Sequence, residues 1–450
     1  MRLAKLRCGP FSLRRVISTG PEPEAISEPK AVSELEMSGL TVSTFSDSII
    51  RWSTNYTEAR ILIRFHGWPL GFFSFDFHKT AVLFDDFVTM VWSRWGDEIA
   101  LHCDLDGLIV EAGVTSFGDI EANCVTRQQH RFTPFASVVI CTMGRPRQLE
   151  MALDALLSMS YKEFEVLVID NDPATTSTRE LVERRFSSDT RLRYVAEAKR
   201  GLSFARNRGL SEARGSVVAF TDDDIVVDQW WLASLVAGFE GDESVSCVTG
   251  LTVAAELDTT AQLMFEGYGA FNGGYRARLF TLHENPAGTK LYPYTAGVFG
   301  GGGNSAFNIQ RIGQPLRFDT RLGPGTASYG AEDLDAFFAV IRRGQSIRYV
   351  PDAIAWHAHR RDYSEVRWQL FTYGVGFSAF LTKWILTDPR ILVDLVRMAF
   401  TSLLRPGAPR HEDEGGSHLL PRHLRRLERL GYLYGPWAYL RSWAAASRGR

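Results

Sequence analysis

The sequence predicts an α/β protein built on a mostly parallel β-sheet with helices on both faces. Short apolar runs at residues 137–142, 164–169 and 216–220 are typical of strands buried on both faces of a sheet. Segments with a helical pattern separate these runs, and repeated β-α-β spacing favours parallel strands joined by right-handed crossovers. Each of the three runs leads into polar or acidic residues, which is where open α/β sheets bind ligands.

The elements of this region can be assigned in order along the chain. Apolar side chains recur on one face after Pro146, a residue suited to the first position of a helix. The predicted strands cover 137–142, 164–169, 192–195 and 216–220, and the predicted helices begin at Pro146 and cover 175–186 and 203–213.

The length of 450 residues allows two or three domains. Residues 1–38 are predicted to form a disordered leader, because residues 17–38 are rich in Ser, Glu and Pro. Residues 39–133 are predicted to form a small α+β module, with strands at 60–65 and 71–77, a turn at 67–71 and a helix at 83–95. The module shows no catalytic constellation. The sheet domain is assigned to 134–360 and a helical region to 361–450.

Composition excludes several classes of protein. A net charge of −2 gives no general attraction to nucleic acid. Five scattered cysteines without a C-x-x-C pair indicate reduced thiols and a cytoplasmic protein. The apolar stretch 370–386 contains Lys383 and is shorter than the roughly 20 residues that a spanning helix needs. A basic C-terminal segment predicts peripheral contact with the inner face of a membrane, through Arg422, Arg425, Arg426 and Arg429.

Polar residues at the strand ends are expected to converge along one edge of the sheet. Thr142 and Arg145 follow the first strand and Asp170 follows the second. The consecutive acids Asp222, Asp223 and Asp224 end the last strand, and three adjacent carboxylates need a cation or several donors to neutralise them. Instead of a ligand site, the acid triplet could form an acidic turn before a helix. Asp170 could likewise be an ordinary turn residue at the end of its strand.

Seven stretches in a fixed order resemble a family 2 glycosyltransferase with a GT-A fold, over about residues 135–360. They are Ser-Val-Val-Ile-Cys-Thr (137–142), Val-Leu-Val-Ile-Asp-Asn (166–171), Gly-Leu-Ser-Phe-Ala-Arg-Asn-Arg-Gly (201–209), Phe-Thr-Asp-Asp-Asp (220–224), Gly-Gly-Gly-Asn-Ser-Ala-Phe (301–307), Gly-Ala-Glu-Asp (330–333) and Trp-His (356–357).

The resemblance implies transfer of a sugar from a UDP-, GDP- or dTDP-sugar to a hydroxyl of a glycan or lipid-linked acceptor, with inversion at the anomeric carbon. It also implies a divalent cation, Mg²⁺ or Mn²⁺, with Asp224 as the direct ligand and Asp222 on the metal or the ribose. His357 is a further metal ligand in this interpretation, and a structural histidine is the alternative.

The resemblance also assigns the catalytic base to Asp333, for which an ordinary helix N-cap is the alternative. The remaining implied contacts with the nucleotide sugar are Thr142, Arg145, Asp170, Arg206, Asp223, Gly302, Asn304 and Glu332. Asp335, two residues after Asp333, is a neighbouring acid that could be mistaken for the base.

Three other classes compete with this interpretation. A dinucleotide-dependent oxidoreductase would need G-x-G-x-x-G after the first strand, and residues 143–146 do not supply it. A nucleotidyltransferase on a similar scaffold would not explain the later Glu-Asp and Trp-His motifs. An inactive sugar-binding protein would not need both the acid triplet and Asp333. The absence of a Gln-x-x-Arg-Trp motif favours transfer of single sugars over processive synthesis.

Overall fold

The computed structural model describes residues 14, 17–18, 30–38, 40, 42–78, 83–106, 132–269, 273–289, 291–404 and 421–448. Most of the predicted leader lies outside these ranges. Residues 30–36 do not belong to a disordered leader, because they form a strand in the N-terminal module. Only Ala31 and Leu35 of this strand are buried, and most of its other residues are polar. Its composition therefore does not indicate a paired strand.

The N-terminal module is a three-stranded sheet packed against two helices. Its elements are β1 (Lys30–Glu36), α1 (Val42–Ser53), β2 (Glu58–Phe65), β3 (Trp68–Asp76) and α2 (Phe84–Leu105). Strand β1 is parallel to β2, and β3 is antiparallel to β2. The turn between β2 and β3 is formed by His66 and Gly67, so the turn predicted at 67–71 is misplaced. Trp68, Pro69 and Leu70 continue the edge strand, where a proline is tolerated.

The main domain confirms the predicted α/β fold class. Its strands are β4 (Ala136–Thr142), β5 (Phe164–Asp170), β6 (Leu192–Ala196), β7 (Val217–Asp222), β8 (Ile225–Val227), β9 (Val245–Ala254), β10 (Arg278–Phe280), β11 (Ser305–Asn308) and β12 (Ser346–His357). Its helices are α3 (Pro146–Leu157), α4 (Ser177–Arg185), α5 (Leu202–Glu212), α6 (Trp231–Ala237), α7 (Thr260–Tyr268) and α8 (Glu332–Arg342).

These strands form one sheet, in the order β10-β12-β9-β11-β7-β4-β5-β6, with β8 paired to β12. Neighbours β7, β4, β5 and β6 are all parallel, as predicted. Strand β11 runs antiparallel between β7 and β9. Alternate residues of β4 face opposite sides of the sheet, so Val139 packs in one apolar cluster and Val138 in the other. The sheet therefore buries an apolar core on each face.

Three helices follow the sheet: α9 (Tyr363–Thr387), α10 (Arg390–Leu404) and α11 (Arg422–Arg448). Helices α9 and α11 cross very closely at glycines, since a Cβ added to Gly374 would lie 2.0 Å from the carbonyl oxygen of Glu428. Helix α9 also contacts α8, where the ammonium group of Lys383 lies 2.5 Å from both carboxylate oxygens of Asp335. The C-terminal helices thus support the helix that carries Asp333. None of the helices within the described ranges is long and apolar enough to span a membrane.

Candidate active site

The parallel strands bring the predicted polar residues to one edge of the sheet. Thr142, the last residue of β4, is directly opposite Asp170, the last residue of β5. On the other side of β4, Cys141 is opposite Asp222, the last residue of β7. This register confirms the convergence that the sequence predicts, because the carboxyl ends of parallel strands meet at the same edge.

Asp223 is held at the end of β7 by two side chains from the β4 end. The Thr142 hydroxyl donates to Asp223 Oδ2 at 2.8 Å, and Arg145 Nη1 donates to Asp223 Oδ1 at 3.0 Å. Arg145 Nη1 also reaches Asp224 Oδ2 at 3.3 Å. Burial raises the pKa of Asp223 to about 6, although the charge of Arg145 opposes this shift. The predicted pair of Thr142 and Arg145 is therefore bonded to the acid triplet.

Asp170 lies fully buried at the neighbouring strand end. Its Oδ2 accepts a hydrogen bond from the Tyr194 hydroxyl at 2.8 Å, and its Oδ1 accepts from the Asp172 backbone N–H at 3.0 Å. Sequence reasoning did not single out Asn171 as a site residue. Its side chain accepts from the Gly201 N–H at 2.8 Å and donates to two carbonyls of the loop before α5. Its position directly after Asp170, at the end of a predicted strand, could have indicated a role at this edge of the sheet.

Arg206 is a buried ion-pair partner, although the sequence predicted that it contacts the donor directly. Its Nη1 lies 3.0 Å from Glu332 Oε1, and its Nη2 lies 3.3 Å from Asp222 Oδ1. Only 2% of Arg206 and 4% of Glu332 are exposed, so this ion pair is buried. Burial raises the pKa of Asp222, with a further contribution from Asp224 and against the effect of Arg206. Arg206 therefore links the acid triplet to the Glu-Asp pair.

Asp333 lies in the first turn of α8 and is partly exposed. Its Oδ2 accepts a hydrogen bond from the Gly302 N–H at 3.0 Å, and its Oδ1 accepts from the Leu334 N–H at 2.8 Å. A Cβ on Gly302 would lie 2.7 Å from the Cβ of Asp333, which explains why a glycine is needed there. Asp335 faces the opposite way, towards Lys383 and the Trp384 indole, so Asp333 is the acid available to the cleft.

The side chain of Asn304 does not face the cleft, so the predicted donor contact is not supported for this side chain. Its Oδ1 accepts a hydrogen bond from the Trp231 indole at 2.8 Å, and its Nδ2 donates to the carbonyls of Leu251 and Ala353, each at 3.0 Å. The residue is fully buried. An amide with four hydrogen-bonding sites can satisfy several backbone groups at once, and Asn304 does this where β11 enters the sheet.

A chain of contacts orients His357 towards Asp224. Glu266 Oε2 lies 2.9 Å from His359 Nε2, and His359 Nδ1 lies 3.0 Å from His357 Nδ1. When both rings are neutral, His359 Nε2–H donates a hydrogen bond to the Glu266 carboxylate. Its Nδ1 then accepts a hydrogen bond from His357 Nδ1–H. His357 Nε2 is then unprotonated and lies 3.7 Å from Asp224 Oδ1. Burial lowers the pKa of His357 to about 4, which favours the neutral ring.

The resulting donor set fits a divalent cation. An unprotonated imidazole nitrogen and a carboxylate oxygen face each other, and a second carboxylate, that of Asp222, lies close enough for its pKa to respond to Asp224. Such groups repel unless a positive charge lies between them, and imidazole with carboxylate is a common ligand combination for divalent metals. The predicted ligands Asp224 and His357 therefore face each other, and Asp222 lies near Asp224.

The N-terminal module contributes to this arrangement through Arg60. Its Nη1 forms an ion pair with Glu266 Oε1. Burial acts to raise the pKa of Glu266, but the hydrogen bond from His359 and the charge of Arg60 outweigh it and lower the pKa to about 2. Arg60 thereby keeps Glu266 ionised and able to accept the hydrogen bond from His359. No motif in the sequence indicates this contact, which joins residues 206 positions apart.

Replacing Arg60 by Gln should lower the affinity for Mn²⁺ about tenfold, because partners outside the ligand shell orient the ligands. Isothermal titration calorimetry measures this change. Arg276→Gln is the matched control, since Arg276 Nη2 joins the main domain to the N-terminal module through Glu98 Oε1 at 2.8 Å. Equal Mn²⁺ affinities for the two variants would contradict the positioning role of Arg60.

The metal-free protein should lose stability between about pH 4.5 and 7 because of Glu332. Burial and the charge of Asp333 raise its pKa to about 7, against the effect of Arg206. A raised pKa in the folded state gives stabilisation that is complete below the unfolded pKa, about 4.3, and disappears as the pH rises through about 7. Glu332→Gln should remove up to about 4 kcal/mol of this dependence of the unfolding free energy. Urea unfolding at several pH values measures it, and an unchanged dependence would exclude Glu332 as its source.

Part of the sheet domain is similar to known proteins. Residues 137–305 match the family described as glycosyl transferase family 2. Glycosyltransferase AglE of Haloferax volcanii is 32% identical over 112 residues, which are 24% of this chain and 36% of AglE. The GalNAc(5)-diNAcBac-PP-undecaprenol beta-1,3-glucosyltransferase of Campylobacter jejuni is 32% identical over 93 residues, which are 20% of this chain and 30% of that protein.

The mannosyltransferase PcManGT of Pyrobaculum calidifontis, solved with GDP-Man and Mn²⁺, is 18% identical, with a TM-score of 0.43 over 68% of this chain and 87% of its own. The matches to AglE and to the Campylobacter jejuni glucosyltransferase each span about a third of the relative's own length. The family match covers β4 to the start of β11, including the acid triplet. This part of the chain is therefore similar to glycosyl transferase family 2.

Proposed function

We propose that this protein transfers a sugar from a nucleoside-diphosphate sugar to an acceptor hydroxyl, with inversion at the anomeric carbon and with the help of a divalent cation. One observation carries the proposal: the acid triplet and Asp333 meet in one cleft, because Arg206 bridges Asp222 to Glu332 and Gly302 contacts Asp333. The parallel strands and their acidic edge agree with the GT-A fold that the sequence resembles.

The edge formed by β4, β5 and β7 supplies the nucleotide half of the cleft. Asp170 and Thr142 lie at adjacent strand ends, and Arg145 is 38% exposed beside Asp223 and Asp224. Arg145 is therefore exposed enough to contact a bound phosphate. A divalent cation, Mg²⁺ or Mn²⁺, held by Asp222, Asp224 and His357 would stabilise the charge that develops on the leaving diphosphate.

Asp333 supplies the acceptor half. Two backbone N–H groups donate to its carboxylate, and the N-terminus of α8 adds a favourable dipole. As the acceptor hydroxyl attacks the anomeric carbon, its proton passes to Asp333, and the bond to the diphosphate breaks on the opposite face. This geometry inverts the configuration of the transferred sugar.

A thermal-shift panel tests the donor class. UDP-, GDP- and dTDP-sugars are compared with and without Mn²⁺, and circular dichroism confirms that the protein is folded. One nucleotide series should raise the melting temperature in a Mn²⁺-dependent way, and Asp170→Asn should weaken that response. No stabilisation by any series would contradict the proposal. Stabilisation by a donor whose sugar no acceptor receives would favour an inactive sugar-binding protein.

We further propose that the acceptor is lipid-linked and that the C-terminal helix contacts the inner face of an anionic membrane. Along α11, Leu433, Trp437 and Leu440 are spaced for one helical face and are at least half exposed. Basic residues occupy the first two turns of the same helix, namely Arg422, Arg425, Arg426 and Arg429. Exposed apolar and basic residues on one helix favour binding to an anionic lipid surface.

Flotation with anionic liposomes at low salt tests this contact. The protein should float with the vesicles, and Leu433→Glu combined with Trp437→Glu should abolish flotation. Met151→Glu is the matched control, because Met151 is an exposed apolar residue of α3, away from the C-terminal helices. Flotation that the double variant retains, or no flotation of the unaltered protein, would contradict the proposed membrane contact.

A further inference from the structure

Three buried polar side chains meet in the N-terminal module, outside the transferase cleft. His66 lies in the turn between β2 and β3, while His102 and Asp106 lie four residues apart at the end of α2. His66 Nδ1, His102 Nε2 and Asp106 Oδ2 form a triangle in which each pair of atoms is 3.1 Å apart. At most 4% of any of these side chains is exposed.

Hydrogen bonds alone do not account for this triangle. Three contacts would need three protons, but each ring nitrogen carries at most one and an ionised carboxylate carries none. At least one pair of atoms is therefore in contact with no proton between them. In a buried site such a contact costs free energy, unless a cation accepts the lone pairs that converge on it.

The distances and atom types fit Zn²⁺. Zinc bonds of about 2.0–2.1 Å to nitrogen and oxygen place neighbouring ligands of a tetrahedron about 3.3 Å apart, close to the separations in this cluster. Two imidazoles with one carboxylate are a common zinc ligand set. The aromatic rings of Phe65 and Trp68 pack against the two histidines, with centroid separations of 4.3 and 4.6 Å. A water molecule would complete the four ligands of a tetrahedral site.

The backbone around His66 supports a ligand role. His66 has a φ of 50°, in the left-handed region that few residues other than glycine adopt, although Asn, Asp and His are enriched there. Glu36 holds the turn. Its two carboxylate oxygens accept hydrogen bonds from the backbone N–H groups of His66 and Gly67, at 2.8 and 2.7 Å. A histidine in this position costs conformational energy, and strained residues often cluster at functional sites.

We propose that His66, His102 and Asp106 bind a structural Zn²⁺ ion that fastens the β2–β3 turn to α2. The same turn contacts the transferase domain through Arg64. The Arg64 guanidinium donates to the Gly67 carbonyl at 2.9 and 3.1 Å and pairs with Asp228, after β8, at 2.7 Å. Zinc binding therefore stabilises the module where it meets the domain that carries the acid triplet.

The test measures zinc directly, in a full-length Asp224→Asn background that removes the other candidate metal site. The protein is incubated with Zn²⁺, desalted and analysed by mass spectrometry of the metal, and Co²⁺ is added in parallel to record its visible spectrum. We expect about one zinc per chain and absorption bands typical of four-coordinate cobalt. His66→Asn should lower zinc affinity at least about 100-fold, because it removes a ligand and keeps a residue that tolerates the turn.

His78→Asn is the matched control, since His78 is an exposed histidine of the same module, and it should bind zinc like the background protein. Thermal melting checks folding, and added Zn²⁺ should raise the melting temperature of the background and the His78 variant only. If His66→Asn is unfolded, His102→Gln replaces it. Absence of zinc from the background protein, or unchanged zinc binding in the folded ligand variant, would overturn the proposal.

Discussion

Replacing Asp333 by Asn is expected to lower kcat about 10³-fold, because a general base contributes about 10²- to 10⁴-fold to such reactions. The amide matches the carboxylate in shape and can still accept the hydrogen bond from Gly302, so the cleft keeps its geometry. It has no basic oxygen to take the acceptor proton. Steady-state kinetics measure the loss of transfer, and thermal shift should show that donor binding survives.

Asp335→Asn is the matched control for this prediction. Asp335 is buried against Lys383 and Trp384, so its replacement leaves the Lys383 ammonium group with Asp319, 3.2 Å away, as its remaining charge partner. That variant should melt at a lower temperature, with a loss of about 1–3 kcal/mol in unfolding free energy, and each folded molecule should keep far more of its kcat than Asp333→Asn does. An Asp333→Asn protein that retained more than about a tenth of kcat would refute the assignment of the base.

Replacing Asp224 by Asn is expected to lower the affinity for Mn²⁺ at least about 100-fold in the presence of the nucleoside diphosphate, and to abolish transfer. An amide oxygen carries no charge, and Asp224 is the carboxylate that faces His357 Nε2. Electron paramagnetic resonance of the free Mn²⁺ measures the change. The protein should stay folded, because the substitution relieves repulsion within the acid triplet.

Asp172→Asn controls for the loss of an acid near the same sheet edge. Asp172 follows β5 and pairs with the exposed Arg200 at 2.6 Å. Its Mn²⁺ affinity and turnover should resemble those of the unaltered protein. If Asp224→Asn bound Mn²⁺ as tightly as this control, the metal would lie elsewhere and the role of the acid triplet would have to be reassigned.

The sheet and its acidic edge could be predicted from the sequence because both depend on local signals. Runs such as 137–142 and 164–169 are apolar on both faces, and parallel strands place their carboxyl ends together whatever the details of packing. The polar residues that end these strands, Thr142 and Asp170, therefore lie side by side, as predicted.

Other features depend on contacts between distant residues and carry no local signal. The glycine-rich motif indicates that the backbone passes the donor site, but only the packing of β11 turns Asn304 towards Trp231 and away from the cleft. The burial of Arg206 depends in the same way on an acid 126 positions later in the chain. The contact of Arg60 with Glu266 joins two parts of the chain that sequence patterns treat as separate domains.

The stereochemistry of transfer tests the central claim most directly. Once the thermal-shift panel has identified the donor, proton NMR during turnover shows the anomeric configuration of the first product formed. Asp333 on the acceptor side and Asp222–Asp224 on the diphosphate side predict that this configuration is opposite to that of the donor sugar. A product that retained the donor's configuration would contradict direct attack by a hydroxyl that Asp333 deprotonates.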